Sequence, residues 1–291
     1  MSSRLPLTGM PNTRDLGGIR TRDGHTIRNK KLIKSGMLYR ATEEDLCILK
    51  DDYNVKMIVD LRTRKERVMM PNPHIKGISE IWNPLFMEDI HGLGVFKPDE
   101  RDVLENRLKS LFILNHRADE KTDDAMDQIR DMIRTEDLNP ERYMKRLYQK
   151  FINNQIIQKQ VKQFFSLLAN NRDGAILWHC AAGKDRAGMC AALLLYALGV
   201  DKAAIIDNYM ESAESSEDAV EYLLNKLFPG CSEESEKYRS LARRFFDVKP
   251  CYIETFFDAI ERDYVSVDNY LQKALELHVD NIVRLKTLYL A

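Results

Sequence analysis

The stretch that most constrains this chain is Ala175-Ile176-Leu177-Trp178-His179-Cys180-Ala181-Ala182-Gly183-Lys184-Asp185-Arg186-Ala187-Gly188. An apolar run ends at His179-Cys180, a short loop containing Gly183 follows, and Met189 to Leu198 is apolar and long enough for a buried helix. The pattern reads as strand, loop, helix, with a cysteine where the strand ends. Such a connection makes an anion cradle, because its amides can all point inward and the helix start adds partial positive charge. A thiol standing there meets a field that favours its ionised form. Arg186, six residues after Cys180, falls on the opposite lip, where its planar fork can hold two oxygens of a phosphoryl group. These residue types point to a sulfur nucleophile, with the loop amides and Arg186 holding the three equatorial oxygens and a phosphocysteine as intermediate. Cys47, Cys190, Cys231 and Cys251 have no arginine at that spacing. The competing reading is a buried structural cysteine with a surface arginine.

The run from His179 to Gly188 resembles the signature loop of the cysteine-dependent protein tyrosine phosphatases. It is most similar to the bacterial tyrosine/serine phosphatase family whose loop reads H-C-x-x-G-K-D-R-[ST]-G. Asn12-Thr13-Arg14-Asp15-Leu16-Gly17-Gly18 resembles that family's N-F-R-D-L-G-G, and Val59-Asp60-Leu61-Arg62 followed by Glu66 resembles its D-L-R…E segment. With a similar helical C-terminal end, the resemblance covers nearly the whole chain, and the signature loop is its specific part.

Cys180 and Arg186 are the expected catalytic pair, with Asp185 as general acid and then base, a role that similar phosphatases give this loop aspartate. The alternative for Asp185 is a loop carboxylate paired to Lys184 or Arg186, with Asp60 as the fallback acid. His179, Ala181, Ala182, Gly183, Lys184 and Ala187 complete the expected substrate-binding loop. His179 would orient the loop and favour the thiolate, or sit there as a satisfied buried histidine. Lys184 adds a cation that lipid phosphatases of this superfamily use on inositol rings; its alternative is a solvent-facing lysine. Ala187 departs from the family, which carries Ser or Thr there to help the thiolate leave, so breakdown of the intermediate is expected to be slow. Arg14 reads either as a second cation near the phosphate or as one half of a structural pair with Asp15. Asp60 stands at the end of the strand Val55 to Leu61, where an open α/β sheet gathers ligands, though strand-end aspartates often bind backbone amides. Cys190 reads as helix core rather than as a resolving thiol.

The rest of the chain supplies a scaffold. Its 291 residues are 44% hydrophobic and 31% charged with net charge −1, which allows a sizeable core and gives no reason to expect nucleic-acid partners. No apolar run approaches the ~20 residues of a membrane span. Met1 to Met10 has no secretory h-region, and five scattered cysteines fit reduced thiols, so a cytoplasmic protein is expected, with export by another route left open by the resemblance. Arg20 to Gly24 reads as a hairpin turn, Leu38 to Arg40 as a strand end, Glu43 to Lys50 as a helix capped by Thr42, and Ile81 to Phe86 as a short strand. Helical stripes follow at Val103 to Phe112, Met126 to Ile133, Tyr143 to Phe151 and Val161 to Leu168, with helix starts at Asn139-Pro140, Pro250 and Ser266. The sum is one α/β domain over 1–291, with a small, mostly parallel central sheet flanked by helices and a large helical complement. Residues 211–248, broken by Pro229-Gly230, would form a helical lid.

This reading calls for no cofactor and no metal: the six histidines are dispersed and no carboxylate cluster accompanies them. The expected partners are a phosphorylated protein or inositol lipid, with phosphate or another oxyanion in the loop. A weakly active phosphate-binding pseudophosphatase is the alternative, supported by Ala187. A sulfur-transfer or arsenate-reducing enzyme is the third reading, and the Lys184-Asp185 pair weighs against it.

Overall fold

The computed structural model describes residues 2–10, 12–86, 140–214 and 232–291, together with Glu221, Leu224, Asn225 and Phe228. Strands β1 (Ser3–Arg4), β2 (Arg14–Asp15), β3 (Leu32–Ser35), β4 (Val55–Asp60), β5 (Ser79–Trp82) and β6 (Ala175–His179) form one sheet in the order β1-β2-β3-β6-β4-β5. The pairings β3–β6, β6–β4 and β4–β5 are parallel, and β1–β2–β3 are antiparallel. This is the mostly parallel α/β sheet that the sequence predicts.

β6 lies inside the sheet, and all five of its residues are buried. It reads as an unbroken apolar run because both sheet faces are covered. Its alternate side chains feed two cores. Ile176 and Trp178 join Leu32, Phe164, Phe165, Leu193 and Phe256 on one face. Ala175 and Leu177 join Leu5, Ile33, Leu49 and Ile58 on the other. Each Leu or Ile so buried contributes roughly 1.5–3 kcal/mol relative to exposure.

The helices are α1 (Glu43–Cys47), which runs into a π-helical turn at Ile48–Asp52, α2 (Arg64–Met69), α3 (Pro140–Asn153), α4 (Gln155–Asn170), α5 (Arg186–Leu198), α6 (Lys202–Met210), α7 (Glu233–Phe246), α8 (Pro250–Tyr264), α9 (Val267–Lys273) and α10 (Val279–Tyr289). α5 is buried at every residue but Tyr196, as its unbroken apolar run requires. Thr42 and Ser266 cap α1 and α9 as expected, and Pro140 and Pro250 open α3 and α8. Among the described residues no helix is long and apolar enough to cross a membrane.

Two expected strands shift. The strand before the first helix is Leu32–Ser35, not a segment ending at Leu38-Tyr39-Arg40; the buried Lys34 interrupts the apolar pattern that would have announced it. β5 begins two residues before Ile81, and beyond it Asn83 and Leu85 still donate to the Asp60 and Leu61 carbonyls. The hairpin turn at Arg20 to Gly24 is present, with Gly24 at φ +89° and Arg20 bridged to Thr26. The stripes from Val103 to Phe112 and Met126 to Ile133, with Asn139, Val220, Leu223, Leu227, Pro229-Gly230 and Cys231, lie outside the described residues.

Register sets the functional edge. Ser35 and Asp60 both pair with His179, so β3, β4 and β6 end level and the 180–185 loop starts from their common carboxyl edge. The loop rests on Ser35-Gly36. Gly183 has φ +73°, and a Cβ there would come within 2.7 Å of the Gly36 nitrogen and 2.8 Å of the Ser35 carbonyl. Gly183→Ala therefore combines a left-handed backbone with a backbone clash, and we expect it to cost about 1–3 kcal/mol in denaturant unfolding. An unchanged midpoint would mean that the loop does not depend on this contact.

Candidate active site

The loop after β6 is pinned from three sides. Met37 donates its amide to the Ala181 carbonyl at 2.9 Å, and the Asn12 side chain donates to the Ala182 carbonyl at 3.0 Å. The Trp178 indole donates to the Ala187 carbonyl at 3.1 Å, tying the first turn of α5 to β6. The carbonyls of Ala181, Ala182 and Ala187 are thus engaged by their surroundings. Its amides are not: those of Ala181, Ala182, Gly183, Asp185 and Arg186 donate to no other group among the described residues. Unspent amides running into the start of a 13-residue helix make a nest for an anion. Cys180, 2% exposed, stands at its origin.

Arg186, the first residue of α5, closes the far lip. Both of its terminal nitrogens donate to Glu66, Nη1 to Oε2 at 2.7 Å and Nη2 to Oε1 at 2.6 Å. The guanidinium lies 5.9 Å from the centre of the Phe86 ring. Burial opposes its charge, and Glu66 outweighs burial, so its pKa is raised. Burial likewise pushes the Glu66 carboxyl up, and Arg186 with the Thr63 amide brings it below its usual value. Glu66 serves twice, since its Oε2 also accepts from the Thr63 amide at 2.7 Å in the capping box of α2.

His179 is fully buried beneath the loop. Burial first, and Arg62 with it, bring its pKa down to about 4 against the pull of Asp60, so the ring is neutral at pH 7. Nδ1 lies 3.2 Å from the Cys180 carbonyl and Nε2 3.1 Å from the Asn72 amide nitrogen. Nδ1–H therefore donates to the carbonyl, and Nε2 accepts from Asn72.

Asp60 is wholly buried behind His179 and committed to protein groups. Oδ1 accepts from the Arg62 amide and Nε, and Oδ2 accepts from Arg62 Nη2 at 2.8 Å and pairs with Arg67 Nε at 3.1 Å. Burial opposes its charge, but His179 and Arg62 hold the carboxyl down to about 2. It supports the loop from below and has no surface to offer a substrate.

Asp185 turns its Oδ1 to the Tyr148 hydroxyl at 2.8 Å, and its Oδ2 lies 3.9 Å from Lys184 Nζ. Lys184 does not face solvent: its side chain is 8% exposed, and Nζ donates to the Asp247 carbonyl at 3.3 Å. The Ala187 methyl is fully buried. Ala181 packs beside an apolar group of Met37, Tyr39, Met69 and Met70.

Arg14 does not pair with Asp15. Successive strand residues face opposite ways: Arg14 donates to the Glu211 carbonyl and pairs with the Glu211 carboxylate at 3.5 Å, while Asp15 accepts from the Gly17 and Lys30 amides. Arg14 thus serves the turn after α6. Cys190 is buried within α5, and burial pushes its thiol well up.

Four supporting residues escape the sequence reading: Glu66 as the partner of Arg186, Asn72 on His179, Tyr148 on Asp185, and Lys34. Lys34 is fully buried opposite Trp178, donates to Ser212 Oγ at 2.8 Å, and is lowered to about 8 by burial and Arg14. The capping-box pair Thr63…Glu66 was readable as a helix start; the second duty of Glu66 was not.

A level edge of parallel strands, a nest of amides and a clamped arginine define an α/β phosphatase. The chain belongs to the tyrosine phosphatase family, matching it over residues 5–291. A Cupriavidus necator protein named as a candidate tyrosine-protein phosphatase is 28% identical over 289 residues, covering 99% of this chain and 88% of that one. A tyrosine-protein phosphatase of Nostoc commune is 55% identical over 56 residues, 19% of each chain. The triple specificity protein phosphatase PtpB of Mycobacterium tuberculosis is 39% identical over 74 residues, 25% of this chain and 26% of that one.

Two expectations follow from this geometry. Glu66→Gln removes the carboxylate that fixes the Arg186 fork, and should lower kcat/KM for an aryl phosphate about tenfold or more; an unchanged value would show that Arg186 does not need this clamp. The second concerns acid. The unfolded chain takes a proton on His179 near pH 6.5 and the folded chain only near 4, so between these values the unfolded state binds more protons. Stability present above pH 6.5 is then lost as the pH falls through about 4, by on the order of 3 kcal/mol. His179→Gln should flatten that limb of a thermal-melt series, and an equally steep limb would remove His179 as its source.

Proposed function

We propose that the protein hydrolyses phosphotyrosine in proteins through a phosphocysteine intermediate. The observation that carries this reading is the Arg186 guanidinium held in two-point contact by Glu66 across a nest that begins at Cys180. In the first half-reaction Cys180 Sγ attacks phosphorus, the S–P bond forms as the P–O bond to the leaving group breaks, and Asp185 gives that oxygen its proton. The loop amides and Arg186 hold the three equatorial oxygens. In the second half water attacks phosphorus and gives a proton to Asp185, and the S–P bond breaks with its electron pair returning to sulfur.

His179 is assigned to orienting the loop, since as a neutral ring it donates to the Cys180 carbonyl. Ala181, Ala182, Gly183 and Lys184 are assigned to the cradle. Tyr39 and Met69, the half-buried members of the apolar group beside Ala181, are assigned to the aryl leaving group. Lys184, turned to Asp247 and Asp185, gives a second phosphate little support, so phosphotyrosine is preferred here over inositol lipids. PtpB is called triple specificity in its own name, and serine/threonine and lipid phosphates belong in the same substrate panel. Chain 1–291 is taken as one phosphatase unit. The bond from Lys184 to Asp247, just past α7, supports residues 211–248 as a lid over the loop.

The test is pre-steady-state hydrolysis of an aryl phosphate. Wild type should show a burst of phenol followed by a slower steady rate, because Ala187 offers no hydroxyl to the departing sulfur. Ala187→Thr should raise the steady rate, and Cys180→Ser should abolish both phases. Turnover that survives Cys180→Ser would overturn the phosphocysteine, and an absent burst with an unmoved Ala187→Thr would overturn the role given to Ala187.

A further inference from the structure

Asp185 occupies the cap position of α5, yet its side chain makes no cap hydrogen bond. An aspartate in this position ordinarily takes that bond. Its Oδ1 is committed instead to the hydroxyl of Tyr148, on α3. Tyr148 is fully buried, and its oxygen also lies 2.7 Å from that of Tyr209, on α6. A phenol has one proton to give. Tyr148 spends its own on Asp185, so Tyr209 must donate into Tyr148. Burial first, then the nearby Asp185, push both phenols well above their usual range, and both keep their protons. The Tyr148 ring is held between Tyr252, at 6.0 Å, and the edge of Tyr209, at 6.3 Å, which fixes where its O–H points. Among the described residues Asp185 Oδ2 accepts no hydrogen bond, and it lies 3.9 Å from Lys184 Nζ.

We infer that Tyr148 is a positioning residue that selects which oxygen of Asp185 carries the transferable proton. The inference deepens the proposed reaction and rests on Asp185 being its acid. An O–H aimed at Oδ1 leaves no room for a second proton there, so the proton rides on Oδ2. When the P–O bond breaks, that proton passes from Oδ2 to the leaving oxygen, and the negative charge left on the carboxylate strengthens the bond from Tyr148. In the second half-reaction the proton from water returns to Oδ2. Tyr209 keeps the Tyr148 hydroxyl turned toward Asp185 by donating to it from behind.

The experiment compares kcat/KM for p-nitrophenyl phosphate, whose phenoxide leaves readily, with that for phenyl phosphate, whose phenoxide needs a proton. kcat/KM is the quantity of choice because slow breakdown of an intermediate does not mask it. Asp185→Asn sets the reference and should lower phenyl phosphate much more than p-nitrophenyl phosphate. Tyr148→Phe, which keeps the ring and removes the hydroxyl, should show the same selective loss, about tenfold on phenyl phosphate and under about threefold on the nitrophenyl ester. Tyr209→Phe should show a smaller loss with the same selectivity, and it carries the test should Tyr148→Phe melt near assay temperature. Equal losses on both esters, or none, in the tyrosine variants while Asp185→Asn is selective would overturn the positioning role. A non-selective Asp185→Asn would overturn the acid itself, and the inference with it.

Discussion

The Arg186–Glu66 pair is the interaction on which the site depends. A guanidinium at the mouth of an amide nest must be held while the nest is empty and be available to an oxyanion when it is full. Glu66 meets both demands because it binds the fork through two terminal nitrogens, and Phe86 covers the guanidinium at 5.9 Å. Burial of both groups would be costly if either stood alone. Here each is the other's compensation, with side chains only 10% and 12% exposed. The capping box of α2 fixes Glu66 from the other end, so the orientation of an arginine on α5 is inherited from the first turn of a helix 120 residues earlier.

Beneath the loop a second layer of charge is settled in the same way. Asp60 is saturated by Arg62 and Arg67, and Asn72 links this group to His179. The outcome is a neutral imidazole that donates upward to the Cys180 carbonyl. Two layers of buried polar groups, each internally satisfied, let the Ala181 and Ala182 carbonyls be held from outside, while among the described residues the amides of Ala181, Ala182, Gly183, Asp185 and Arg186 donate to no other group. The same economy explains why Asp60 is no candidate for proton transfer: both of its oxygens are committed to holding the layer together.

What the sequence made legible is what it holds contiguously. Strand, cysteine, glycine turn, arginine and helix fall within one stretch, so periodicity and spacing alone place Cys180, Gly183 and Arg186 correctly relative to one another. The partners of these residues are distant in the chain and leave weaker traces. Tyr148 sits on a helical stripe with Leu147 and Phe151, and periodicity cannot tell a ring that fills a core from one whose hydroxyl reaches out of it. Arg14 and Asp15 look like a pair because they are adjacent, yet strand geometry sends them to opposite faces. Lys34 hides a four-residue strand because a buried charge breaks the apolar pattern, and its reason for being there, Ser212, lies 178 residues away.

The distribution of cations bears on what the loop recognises. Arg186 is clamped, Lys184 is turned to Asp247 and Asp185, and Arg14 is taken up by Glu211. Each of these cations is held by protein oxygens, and so is the buried Lys34 beside Arg14, which donates to Ser212. A ligand with several phosphates would have to break the Lys184 contacts, or draw on cations elsewhere, before gaining from them. The apolar group of Met37, Tyr39, Met69 and Met70 packs next to Ala181, with Met37 and Met70 themselves buried. Of these cations it is Arg186 whose partner, Glu66, holds it at the lip of the nest.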